Sequence, residues 1–267
     1  MTRFGYSGDL ISLPMIHALL QNQIEHPFQM IRLKEEDILK KLLNGTLDMG
    51  ILSPYFYARK QGSIRIVRQF PVINRQPIAS ILLFFQGNLK TIDRVYWKKN
   101  LHAQYEYFLG KLILEEFLGV ESDWEIIEQE GEIEDILPEH PVVLLTGEDA
   151  FRASDSLEGM IDLTEEWLLK TDLPLVQRLV VVKETFKEKG ELEKLQLSMQ
   201  LGLRRLKDAS ENYAKSHRRN WDIYFDVLQK VEYGMDSPEV WDSLREVLQY
   251  LFFKGEADYY PEMEFLE

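Results

Sequence analysis

The chain has 267 residues, enough for one large domain or two small ones, and its 45% hydrophobic and 28% charged residues are ordinary for a soluble globular protein. A net charge of −14 argues against nucleic acid or an anionic membrane surface as partner, so an anionic ligand would need local help from arginines and helix N-termini. The absence of cysteine excludes disulfides, thiol nucleophiles and cysteine-ligated metals.

In chain order, Arg3–Tyr6 is a short strand, followed by Ser7-Gly8-Asp9 and a helix from about Ser12 through Leu20, with Pro14 suited to its first turn. Phe28–Leu33 alternates as a second strand. Glu35-Glu36-Asp37 opens a helix with Ile38, Leu39, Leu42 and Leu43 on one face and Asn44-Gly45 closing it. Leu47–Leu52 is a third strand ending at Ser53-Pro54, and Tyr55–Arg59 begins another helix. Ile64–Val72 leads into Gln76–Phe85, an apolar run with one hydroxyl, Ser80, near its middle. Such a run reads as a strand covered on both sides, in which a lone hydroxyl needs a partner. It is expected to cross from one α/β lobe to another, with Ser80 facing a cleft.

Beyond it, Arg94–Lys98 reads as a strand, His102–Leu118 as a helix, Trp124–Gln129 as a strand, the region near Ile133–Leu137 as a short acidic helix, and Val142–Leu145 as a strand. Thr146-Gly147-Glu148-Asp149 turns into a helix, and Asp162 is placed as an N-cap with Glu165 three residues on. Pro174–Val182 is the return strand. The remainder is helical, with stripes through Leu192–Leu206, Trp221–Leu228 and Val240–Leu251 that read as core. One crossing out and one back give a discontinuous first lobe, 1–84 with 175–267, and an inserted second lobe, 85–174.

Dinucleotide, phosphate-loop and metalloprotease motifs are lacking, none of the five histidines pairs at metal-ligand spacing, and no cofactor or metal is expected. Ser7, Gly8, Ser53, Ser80, the helix start near His102, Thr146 and Gly147 all fall at strand ends or helix starts. Free N–H groups there suit a small organic acid, although strand ends in any α/β protein carry such residues. Arg178 sits inside an apolar strand, so its partner is either a protein carboxylate or an anionic ligand. Arg75 is the other arginine of interest. His102 at a helix start is either a neutral base or simply solvated. With no signal-peptide h-region and no membrane-length apolar stretch, a cytoplasmic location is expected.

These residues resemble a known family, the menaquinone-biosynthesis chorismate dehydratases of the futalosine route. Arg3-Phe-Gly-Tyr6 with Leu13-Pro14 resembles its opening, and Asn44-Gly-Thr-Leu-Asp48 with Leu52-Ser53 and Tyr57-Ala-Arg59 its next block. Pro77-Ile-Ala-Ser-Ile-Leu-Leu-Phe84 resembles its crossing strand, and Asp162-Leu-Thr-Glu-Glu-Trp167 with Thr171-Asp-Leu-Pro174 its return segment. The resemblance implies an α/β, two-lobe periplasmic-binding-protein-like (type 2) fold with a central cleft and a helical C-terminal tail. It also implies a lyase that removes water from chorismate, or a binding protein for another small acid on the same scaffold.

Ser80 matches the family's cleft serine and is the expected catalytic residue. Ser7, Gly8, Asp9, Ile11, Ser53, Arg75, His102, Ala103, Gln104, Thr146, Gly147 and Arg178 are the expected substrate-binding set. Several positions depart from the pattern. The family's first loop reads Ser-Tyr-Leu-Asn-Thr; here it is Gly8-Asp-Leu-Ile-Ser12, so Ile11 stands in place of the asparagine implicated in the reaction. The family's Ser-Arg-Thr-Ser helix start becomes Leu101-His-Ala-Gln104, and its Ser-Asp-Gly becomes Asn74-Arg75-Gln76.

Overall fold

The computed structural model describes residues 1–85, 87–98, 103–127, 133–136, 138–156 and 160–267. In chain order the strands are β1 (Thr2–Tyr6), β2 (Phe28–Arg32), β3 (Met49–Leu52), β4 (Ile64–Ile66), β5 (Val72–Asn74), β6 (Ile81–Phe85), β7 (Arg94–Lys98), β8 (Asp123–Ile127), β9 (Val142–Thr146), β10 (Met160–Asp162), β11 (Leu175–Lys183) and β12 (Val231–Tyr233). The helices are α1 (Leu13–Leu20), α2 (Glu35–Leu43), α3 (Pro54–Ala58), α4 (Gln104–Leu112), α5 (Ile133–Ile136), α6 (Glu148–Ser156), α7 (Leu163–Thr171), α8 (Glu191–Arg204), α9 (Leu206–His217), α10 (Trp221–Gln229) and α11 (Pro238–Phe253). They form two compact units, Met1–Arg75 with Pro174–Glu267, and Gln76–Leu173.

Among the described residues the first unit holds a seven-stranded sheet in the order β12-β5-β11-β3-β1-β2, with β4 also paired to β11. Its parallel strands β1, β2 and β3 each lead into a helix, so the starts of α1, α2 and α3 gather at their carboxyl edge. β3 is buried throughout and β11 nearly so, as expected for apolar runs covered on both faces. Helix α8 lies against α1 so closely that a Cβ on Gly202 would sit 1.9 Å from the Pro14 carbonyl oxygen; only glycine fits. The last residues run along β4. The Ile66 amide donates to the Glu264 carbonyl at 2.7 Å, and the Leu266 amide to the Ile66 carbonyl at 2.9 Å. Glu264 takes Lys60 and Ser63, and the Arg68 guanidinium sits 3.7 Å from the Phe265 ring centre.

The second unit holds a five-stranded sheet in the order β10-β6-β9-β7-β8. Strands β7 and β9 run parallel, and α4 and α6 follow their carboxyl ends. Helix α4 ends earlier than its apolar pattern suggests and passes into a π-helical turn, Ile113–Phe117. His102 at the start of the expected helix, residues 128–129 of the expected strand and residue 137 of the expected short acidic helix lie outside the described residues.

The single crossing strand expected over Gln76–Phe85 is corrected. Strand β5 ends at Asn74 in the first unit and β6 begins at Ile81 in the second. Between them Pro77 supplies no ladder N–H, and Ala79 adopts a left-handed conformation with φ +53°, so pairing cannot run through.

Candidate functional site

Two groups of expected site residues assemble, one in each unit. In the first, Gly8 takes φ +82° after β1 and swings the loop so that Asp9 turns back beside the start of α1. Its carboxylate accepts the Ser7 hydroxyl at 2.6 Å, the Ser12 hydroxyl at 2.8 Å and the Ser12 amide at 3.0 Å. Arg178 Nε lies 3.5 Å from the same carboxylate, and Arg178 Nη1 donates to the Gln177 carbonyl at 2.8 Å. Burial alone would push the Asp9 carboxyl up, but the Arg178 charge and the three serine donors outweigh it and hold it below its ordinary value. Of the two partners expected for Arg178, a protein carboxylate, Asp9, faces it here.

On β11, Leu179 lies opposite Leu52, which brings Arg178 alongside Ser53. The Ser53 amide, the first free N–H of α3, donates to Glu35 at 2.5 Å. Glu35 is buried, and this burial raises its pKa to about 7, against the pull of Arg178 and the Ser53 bonds and with the push of Asp9. The Tyr233 hydroxyl donates to the Ile11 carbonyl at 2.8 Å; burial and the nearby Asp9 charge keep it protonated well past its ordinary range. Ile11 itself is 3% exposed and packs as core. Arg75, also in the first unit, pairs with Glu239 at 2.9 Å and Glu232 at 3.5 Å, so it too is neutralised by protein carboxylates.

In the second unit the turn before β6 is held from both sides. The Ala79 amide donates to Asp162 at 2.8 Å and the Ile78 amide to the Thr164 hydroxyl at 3.3 Å, while the Gly147 amide donates to the Ser80 carbonyl at 2.9 Å. Asp162 also caps α7 through the Thr164 amide at 2.9 Å. This pinning keeps a non-glycine residue, Ala79, left-handed at a cost of about 1 kcal/mol. It presents Ser80 beside Thr146, with Ile81 opposite Thr146 in the ladder. Ser80 is 1% exposed, and among the described residues its hydroxyl has no hydrogen-bond partner. From there a contiguous path leads to α4. Trp97 Nε1 donates to the Thr146 hydroxyl at 3.4 Å, and the Trp97 ring stacks on Tyr107, 4.0 Å between centres, one turn into α4. Ala103 is buried just before that helix and Gln104 is its first residue. His102 lies outside the described residues.

The structure thus groups Ser7, Gly8, Asp9, Ile11, Ser53 and Arg178 in the first unit, and Ser80, Thr146, Gly147, Ala103 and Gln104 in the second. Sequence reasoning missed Glu35, Tyr233 and Trp97. Glu35 had a usable signal: it lies three residues before Ile38 and four before Leu39, on the inward face of α2. Among the described residues no three His, Cys, Asp or Glu side chains converge as a metal would require, and no helix is long and apolar enough to cross a membrane.

A family model described as menaquinone biosynthesis matches residues 2–252. Chorismate dehydratase of Thermus thermophilus is 26% identical over 230 residues, covering 79% of this chain and 83% of that relative. Among solved structures, a protein from Archaeoglobus fulgidus has a TM-score of 0.72 at 17% identity, covering 95% of this chain and 97% of its own. The periplasmic aliphatic sulphonate-binding protein of Escherichia coli has a TM-score of 0.70 at 14% identity, covering 97% and 94%. At such identities the likeness shows the fold, which is α/β and periplasmic-binding-protein-like, as expected.

Proposed function

Starting from the fact that the chain belongs to the menaquinone-biosynthesis family, we propose that it is a chorismate dehydratase-like lyase of the futalosine route. In that reaction the proton on the ring carbon bearing the enolpyruvyl ether leaves to a base. The hydroxyl on the neighbouring carbon departs with a second proton as water, and the C–H electron pair completes the aromatic ring of 3-enolpyruvyl benzoate. The similarity to a chorismate dehydratase over most of both chains supports this chemistry.

The single observation that carries the reading is the Ser80 hydroxyl, buried and without a hydrogen-bond partner among the described residues, on a turn pinned by Asp162, Thr164 and Gly147. An unpaired buried hydroxyl costs about 1–3 kcal/mol, a cost that a substrate oxygen would remove. Ser80 then donates to the departing hydroxyl or orients a substrate carboxylate, while the rigid turn holds it in place before substrate arrives. The ligand class is a small anionic metabolite, and the reaction calls for no cofactor.

A second reading, a re-specialised binding protein for another small organic acid, is favoured by Ile11. It offers no side-chain donor, acceptor or base, and Arg178 and Arg75 already face protein carboxylates.

Incubation of purified protein with chorismate, followed by chromatography, separates the two. The lyase reading expects the aromatic product, with Ser80→Ala lowering kcat/KM by about 100-fold. No product at high protein concentration, together with a thermal shift and chorismate recovered unchanged, would select the binding protein. Neither product nor shift would refute both.

A further inference from the structure

Three hydrogen-bond donors and one guanidinium, from three elements, converge on one carboxylate in the first unit: the Ser7 hydroxyl after β1, the Ser12 hydroxyl and amide at the start of α1, and Arg178 on β11, ion-paired at 3.5 Å. This is what a protein builds for a bound organic acid, with two hydroxyls on one oxygen, and an amide and a guanidinium on the other. Here the acid is the chain's own. Asp9 reaches the position from a loop that Gly8 turns through φ +82°, so its attachment is two residues of irregular backbone rather than a helix or strand. The donors are buried, Ser12 fully and the Arg178 side chain at 3% exposure, whereas the Asp9 side chain is 17% exposed, so the position opens to solvent on the Asp9 side.

We propose that Asp9 is an internal carboxylate occupying an anion position built by Ser7, Ser12 and Arg178, and that it is the specificity-determining residue of this strand edge. With Asp9 in place the edge refuses a ligand carboxylate, because Arg178 is already neutralised and the hydroxyls are spent. Without it, the same donors accept a small monocarboxylate from solution. Ligand groups admitted beside Asp9 are therefore neutral or cationic donors, and a carboxylate must be held elsewhere. This goes beyond the lyase reading and does not rest on it, since it is read from stability rather than turnover.

The test is chemical rescue of Asp9→Ala, with sodium formate as probe and sodium chloride at equal ionic strength as control. Asp9→Ala is expected to melt below the wild type, and formate to raise its Tm by about 4 °C in a saturable manner while leaving the wild type at its chloride value. Adding Ser12→Ala to Asp9→Ala removes a donor and is expected to weaken the apparent formate affinity roughly tenfold. A response to formate that is the same as to chloride, or the same in the wild type, overturns the proposal. Should Asp9→Ala fail to fold in chloride, its refolding yield is the reading: recovery with formate supports the proposal, and equal failure in both salts overturns it.

Discussion

Glu35 and Ser53 join two helix starts: the side chain of the first residue of α2 takes the amide just before α3 at 2.5 Å. The bond lies in a buried setting that lifts the carboxyl from 4.5 to about 7. Between those values the folded chain holds a proton that the unfolded chain has released. The Glu35 contribution is therefore fully present below about pH 4.5 and lost as pH rises through about 7, an effect of about 3 kcal/mol. Asp9, held below its ordinary value, runs the other way: its contribution is present above that value and lost on acidification. Urea denaturation from about pH 5 to about pH 8 should show the wild type losing stability relative to Glu35→Gln as pH rises. Parallel curves would contradict the assignment.

Ser80→Ala removes a buried hydroxyl with no hydrogen-bond partner among the described residues, so stability should hold or rise by up to about 1 kcal/mol. Urea midpoints check this directly. A loss well above that size would mean the hydroxyl has a partner within the protein.

Ala79 sits at φ +53°, a conformation glycine adopts without penalty. Ala79→Gly should therefore raise Tm slightly, by up to about 1 kcal/mol in stability. It should also loosen the turn that presents Ser80, so a higher KM is expected alongside. A Tm fall would show that the turn is unstrained.

Ile11→Asn places a polar amide at a position 3% exposed, in place of a side chain that packs as core. The expected loss is about 2–3 kcal/mol by urea denaturation. A variant as stable as the wild type would show that the loop opens to water.

Gly202→Ala should cost about 3 kcal/mol or more, because its methyl would overlap the Pro14 carbonyl and backbone cannot yield as a side chain does. Calorimetry of the folded variant is the check, and a shift under about 1 °C would mean that α1 and α8 separate easily.

The fold was legible where burial imposes a period. Leu47–Leu52 and Pro174–Val182 are mostly apolar runs, broken only by Asp48 and by Gln177 and Arg178, and became β3 and β11; Val240, Trp241, Leu244, Val247, Leu248 and Leu251 repeat at helical spacing and became the inner face of α11. Short edge elements were not legible: β12 is three residues whose pairing with β5 is set by distant partners. The break before β6 was hidden because Ala79 carries no turn signature; its left-handed backbone is imposed by Asp162, eighty-three residues away. In the site, Asp9 and Arg178 were visible as residues of interest, but their mutual pairing depends on β1 and β11 sharing a sheet. Glu35 was masked by its neighbours Glu36, exposed, and Asp37, half-buried, in the same helical turn.

The C-terminal residues that run along β4 do more than tie down a loose end. A strand whose outer amides and carbonyls stay open is a template for a neighbouring molecule. By donating and accepting at Ile66, residues 264–266 close that template from within. A chain shortened before Glu264 would expose it, and its first failure should be self-association through β4 at high concentration rather than unfolding.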